Sequence, residues 1–170
     1  MSNDLPQRKP LRKEGFDYDF CGVYFITICT QDRREILSQI VGVDVPDDPY
    51  DYPQIKLTDY GTIADKYVKQ LNDFYNHLSI EWYVIMPNHI HILLNVLDGT
   101  SRTSSPTKQH STVSQFVSTF KRFCNKEYGG NIWQRGYNDH IIRDREDYEK
   151  HVRYIVENPM NWYFDELYNP

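Results

Sequence analysis

A chain of 170 residues is enough for one domain, and such a domain buries about two thirds of its unfolded surface without disulfide staples. Hydrophobic residues make up 39% and charged residues 25%, an ordinary globular mix that excludes wholesale disorder. Nineteen Lys and Arg against twenty-four Asp and Glu give a net charge of −5, which argues against a protein that coats polyanions indiscriminately.

Residues 1–20 mix Pro, Lys, Arg and Asp and predict a flexible basic arm. Their opening, MSNDLPQRKPLRKE, lacks the apolar core of a signal peptide, and no apolar run approaches the ~20 residues of a membrane helix. Val23–Thr30 (VYFITICT) is β-branched and aromatic and predicts a buried strand. Residues 43–54 (VDVPDDPYDYPQ) predict an acidic surface loop. Thr58 offers a helix cap, and Ile63, Tyr67, Leu71, Phe74 and Tyr75 predict an amphipathic helix over 59–76. Ile80–Met86 and His89–Val96 flank Pro87-Asn88 and read as a hairpin. Residues 98–111 are a Ser/Thr-rich loop.

Ser111 or Thr112 then caps a helix with the stripe Val113, Phe116, Val117, Phe120 and Cys124, ended by Gly129-Gly130. Ile132–Gln134 and Tyr137–Ile142 predict short strands or a hairpin broken at Gly136. Asp144 caps a third helix over 145–157, closed by Pro159. The order implies an α+β fold: an antiparallel sheet with helices packed mainly on one face, for which the ferredoxin-like arrangement is the simplest topology. We expect a single domain over 21–165 and a tail at 166–170. Cys21, Cys29 and Cys124 form no CxxC, so they read as reduced thiols of a cytoplasmic protein rather than a zinc site.

His89-Ile90-His91 is the sharpest local feature. Side chains alternate along a strand, so both imidazoles share a face and can supply two ligands to a divalent metal. A short motif of this kind often joins unrelated histidines, yet an apolar strand needs a reason to carry two. A third His at position 93 would complete an HxHxH set, but that residue is Leu93, and HExxH is absent. On the third helix Tyr154 and Asn158 stand four apart and share a face, bordered by His151. By spacing alone this pair also suits a packing tyrosine and a C-terminal cap.

The segments YFITICTQDRREIL, YVIMPNHIHILL, FVSTFKRF and IWQRGYNDHIIRDREDYEKHVRYIVENP, in this order, resemble the IS200-like single-tyrosine transposases, and most of all the REP-associated tyrosine transposase branch. The resemblance spans about Gly22 to Trp162. It implies a ferredoxin-like HUH nuclease in which His89 and His91 bind a metal, Tyr154 is the nucleophile, and Asn158 is the third ligand. Tyr137 is a rival nucleophile, ranked lower because Ile141, not a ligand-type side chain, follows it at +4. The implied cofactor is Mg²⁺ or Mn²⁺, and the implied substrate is single-stranded DNA beside a hairpin, cut through a 5′-phosphotyrosine. His151 is a candidate to assist the phenol, and a homodimer is compatible with the family. Basic residues at Arg8, Lys9, Arg12 and Lys13, and at Arg102, Lys108, Lys121, Arg122 and Lys126, are the phosphate-contact candidates. Two other readings stay open: a silent hairpin-binding relative, and a phosphoesterase that uses the His pair with water.

Overall fold

The computed structural model describes residues 21–42, 53–97 and 112–168. The basic arm, the Ser/Thr-rich loop and residues 43–52 of the acidic loop lie outside the described residues, and with them Arg8, Lys9, Arg12, Lys13, Arg102 and Lys108. The elements are β1 (Gly22–Cys29), β2 (Ser38–Val41), β3 (Gln54–Leu57), α1 (Asp59–Phe74), β4 (Leu78–Ile85), β5 (His89–Val96), α2 (Thr112–Tyr128), β6 (Asn138–Ile141) and α3 (Arg145–Glu157), with 3₁₀ turns at Gln31–Arg33 and Trp162–Phe164. Among the described residues no helix is long and apolar enough to cross a membrane.

The main sheet runs β4-β5-β1-β6, with every neighbouring pair antiparallel. Leaving aside the β2–β3 ribbon, this is the ferredoxin-like order expected from the sequence. Central strands are covered on both faces, which is why β5 is apolar almost throughout. Ile90, Ile92 and Leu94 point to one layer with Tyr24, Ile26 and Ile28 of β1, where α1 and α2 close the main core through Val68, Leu71, Phe116 and Phe120. Leu93 points to the other layer, where α3 packs a smaller core with Val84, Met86, Ile155 and Trp162. By alternation His89 and His91 share the α3 face with Leu93.

The helix starts follow their caps. Thr58 accepts from Gly61 N–H at 3.2 Å, and Asp144 accepts from Asp147 N–H at 2.9 Å. Of the two expectations for the segment after α2, a short strand is present as β6, and a hairpin is not. Trp133 makes a single bridge to Thr30, just past β1, and β6 pairs with β1, so the two segments do not pair with each other. Gly136, at φ 88°, turns the chain between them. The β2–β3 ribbon was not expected from the sequence; its strands are four residues each, too short for a clear alternation.

Candidate metal centre and nucleophile

His89 and His91 sit at the start of β5, where the chain has just turned at Pro87-Asn88, and both are buried. Each imidazole is anchored through Nδ1. The Asn88 amide nitrogen donates to the Leu167 carbonyl at 2.8 Å, which leaves Asn88 Oδ1 to face His89 Nδ1 at 2.8 Å. An amide oxygen only accepts, so His89 Nδ1 carries the hydrogen and Nε2 the lone pair. Thr27 lies opposite His91 in the β1–β5 register, and its hydroxyl is 2.9 Å from His91 Nδ1. The Phe25 ring stacks on His91 at 4.9 Å.

Tyr154 and Asn158 come from α3 onto the same spot, as their four-residue spacing requires. The Tyr154 ring stands edge-on to His91 at 5.1 Å, and its side chain remains accessible from the cleft. Asn158 is 1% exposed, at the C-cap of α3. Among the described residues four buried side-chain nitrogen or oxygen atoms lack a hydrogen-bond partner. Three of them are His89 Nε2, His91 Nε2 and Asn158 Oδ1; the fourth, Trp133 Nε1, lies in the other core. Leaving three such atoms dry and unpaired costs about 1–3 kcal/mol each, so their grouping needs a partner that accepts lone pairs. Two imidazole nitrogens and an amide oxygen form a donor set that suits a divalent ion such as Mn²⁺ or Mg²⁺. The residues present fit the expected cofactor.

Charge at the centre agrees. Burial holds both imidazoles below their ordinary range, and for His91 the neighbouring His89 and His151 add to the effect. They are therefore neutral near pH 7, the form that ligates. Burial, and after it the hydrogen bond to Asp165, pushes the Tyr154 phenol above its ordinary range.

Asp165 was missed by sequence reasoning. Its Oδ2 accepts both the Tyr154 hydroxyl, at 2.9 Å, and the Asn158 amide, at 2.6 Å. Its ligand atom lies within 4.8 Å of those of His89 and His91. No local periodicity links it to Asn158; the Trp162–Phe164 turn carries the chain back over the site. Residues 166–168, read from the sequence as a tail, lie against the domain: Leu167 N–H donates to Asp165 Oδ1 at 2.7 Å, and the Tyr168 ring meets Trp162 edge-on.

A cleft of about 600 Å³ opens over the centre. Lys150, Arg153, Asn138 and Phe164 line it, and none was singled out from sequence. Lys150 shares a helix face with Tyr154 at i,i+4, a signal that could have found it. Phe164 is 88% exposed.

Other expected site residues have different partners or positions. His151 lines the cleft, but its Nδ1 is bonded to the Asp147 carbonyl at 2.8 Å, and the Tyr154 hydroxyl turns to Asp165 instead. His140, Asp147 and His151 form a second cluster that ties β6 to α3, with His140 Nε2 2.8 Å from Asp147 Oδ2. Its two imidazoles stack at 19°, so their in-plane lone pairs run side by side and do not converge on one ion. The rings of His89 and His91, at 64°, can converge. Lys121 is a correction. Its ammonium is spent inside the fold, donating to the Gln134 carbonyl at 2.8 Å and to that of Gly136, and burial pushes its pKa down to about 8. Arg122 and Lys126 are exposed, but on α2, across the sheet from the His pair. Tyr137 packs on the α1–α2 core, its hydroxyl 2.9 Å from Ser114.

No protein-family model matches the chain. It is 29% identical to an uncharacterised protein of Haemophilus influenzae, over 96% of this chain and 94% of that one. It is 27% identical to a putative REP-associated tyrosine transposase of the same organism, over 85% and 73% of the two chains. A REP-associated tyrosine transposase of Escherichia coli is 25% identical, over 82% and 67%. In sequence, the chain is similar to REP-associated tyrosine transposases over 82–85% of its length. The fold agrees: a REP-associated tyrosine transposase solved bound to a REP hairpin superposes with a TM-score of 0.61 at 20% identity, over 91% of this chain and 77% of that one. That likeness concerns the fold and spans most of the chain.

Proposed function

We propose that this relative of the REP-associated tyrosine transposases is a metal-dependent enzyme that nicks and rejoins single-stranded DNA, with Tyr154 as nucleophile. The observation that carries the reading is that three unpaired buried donors, His89 Nε2, His91 Nε2 and Asn158 Oδ1, belong to side chains gathered around Asp165, which also accepts that hydroxyl. When bound there, a divalent cation supplies positive charge that polarises the scissile phosphate and eases loss of the phenolic proton.

The chain's own residues do the rest. Thr27 and Asn88 hold the imidazoles so that both Nε2 atoms face the centre. Tyr154 attacks phosphorus; the phosphorus–O3′ bond breaks, the phenolic proton is lost, and the 3′ oxygen leaves as a hydroxyl after taking a proton. The product is a 5′-phosphotyrosine, which conserves the phosphodiester bond, so the reverse attack by a 3′-hydroxyl rejoins strands without a nucleotide cofactor. The phosphate has to lie between one strand and one helix, which suits an unpaired strand rather than a duplex. Lys150 and Arg153 provide phosphate contacts along the cleft, and Phe164 provides a face on which a base can stack. The REP hairpin bound by the structural relative makes a hairpin flank the first substrate to try.

The test incubates the protein with labelled hairpin-bearing single-stranded DNA and Mn²⁺ and resolves the products on a denaturing gel. The expected result is a covalent adduct that vanishes in Tyr154→Phe and weakens in the Lys150→Ala/Arg153→Ala double variant. Cleavage without an adduct, indifferent to Tyr154→Phe, would point to water as nucleophile and overturn the reading. Binding with no cleavage would identify a hairpin-binding protein instead.

A further inference from the structure

An amide is a two-faced ligand. Turned one way, Asn158 offers its oxygen to the centre; turned by 180°, it offers an NH₂ group that the imidazole lone pairs would accept, and the metal site is gone. The two orientations are nearly the same shape, so packing alone cannot choose between them. A carboxylate on the far side can, because it only accepts hydrogen bonds.

We propose that Asp165 is the positioning residue of this centre: its Oδ2 takes the Asn158 amide N–H and so turns Asn158 Oδ1 toward the His89–His91 pair. The inference rests on the reading of His89, His91 and Asn158 as metal ligands. Three observations carry it. The Asn158–Asp165 bond is short, 2.6 Å, and Asn158 Oδ1 is left buried and unpaired on the other side. The same Oδ2 receives the Tyr154 hydroxyl at 2.9 Å, so one atom registers the nucleophile against the ligand. Asp165 is itself held, with Leu167 N–H on its Oδ1 at 2.7 Å, while the Leu167 carbonyl receives the Asn88 amide whose oxygen fixes His89. One short segment, residues 165–167, thus orients both an amide and an imidazole of the centre. Partners one step removed from a metal commonly affect affinity about 10–100-fold.

Asp165 is also near enough to be a ligand in its own right, and the test separates the two roles. Mn²⁺ affinity is measured by the electron paramagnetic resonance signal of free Mn²⁺, with no DNA present. Asp165→Ala is expected to weaken binding about 10–100-fold, and Asp165→Asn, which preserves shape but offers a rival donor, is expected to weaken it as well. In an Asn158→Asp background the ligand is a carboxylate with two equivalent oxygens and needs no orienting. There Asp165→Ala is expected to leave affinity unchanged or to improve it, since two neighbouring carboxylates repel. Equal losses in both backgrounds would show a direct ligand and overturn the inference, as would wild-type affinity in Asp165→Ala. A chain whose Mn²⁺ affinity is indifferent to His91→Ala would overturn the metal reading itself, and this inference with it.

Discussion

At the scale of single residues, the centre is a set of groups denied their ordinary partners. His89 and His91 have lost water, and each keeps one hydrogen bond where it could make two. The unfolded chain takes up protons on these imidazoles near pH 6.5, whereas the folded chain resists protonation to lower pH because burial disfavours the charged ring. Below about pH 6.5 the unfolded state therefore binds more protons, and stability rises with pH through that window and is lost as pH falls through it. Thermal melts of the metal-free protein are expected to show a midpoint that drops between pH 7 and 5. The drop should shrink in a His89→Gln/His91→Gln double variant; an unchanged slope would mean that other groups set it. The residues of this centre differed in how far the sequence revealed them. The two histidines were legible because strand alternation puts i and i+2 on one face, and Tyr154 with Asn158 because a helix does the same at i+4. Asp165 was not, since seven residues and a 3₁₀ turn separate it from Asn158. Lys121 misled for the opposite reason: a basic residue in a basic stretch looks solvated until its neighbours are known.

Between elements, the close approach of α1 to the strand edge is set by one glycine. A Cβ on Gly61 would lie 2.0 Å from the Leu37 carbonyl oxygen and 3.2 Å from Leu57 Cδ2. That carbonyl already accepts the Thr58 N–H at 3.0 Å, so it cannot swing aside without losing the bond that ties the start of α1 to this edge. Helix propensity argues the other way, since Ala is better than Gly in a helix by about 1 kcal/mol. A clash with backbone cannot be relieved by a rotamer change, so overpacking wins, and Gly61→Ala is expected to destabilise by about 1–3 kcal/mol. Urea unfolding measures the sign directly; a raised midpoint would mean that α1 docks less closely than its contacts indicate. The same edge explains what the sequence concealed. β2 and β3 are four residues each and lie beside the acidic loop, so their residues carried no pattern stronger than the turn signals around them. α1 was legible from its helical periodicity, and β5 from its apolar run beside the Pro87-Asn88 turn.

Over the whole molecule, a net charge of −5 says little about where an anion sits. The charge is an average over an acidic stretch at 43–54, a basic stretch at 8–13 and a cleft in which Lys150 and Arg153 stand beside Glu157, Asp165 and Glu166. A cation at the centre would change that local balance and the mechanics together, because its proposed ligands lie on β5, one of the two inner strands of the sheet, and on α3, the helix alone on its face among those described. An ion that binds only the folded chain adds stability as RT ln(1 + [L]/Kd), or about 2.7 kcal/mol at a hundredfold excess over Kd. For a chain of this size each kcal/mol moves the melting midpoint by about 2–4 °C, so Mn²⁺ should raise it by about 5–11 °C. His91→Ala, which removes a ligand, should abolish the rise, and Tyr154→Phe, which removes none, should retain it. Stabilisation that persisted in His91→Ala would locate the ion at another site, such as the acidic side chains of the cleft rim. The contrast with Tyr154→Phe matters most, because it separates the proposed ligand from the proposed nucleophile, two side chains whose rings lie 5.1 Å apart.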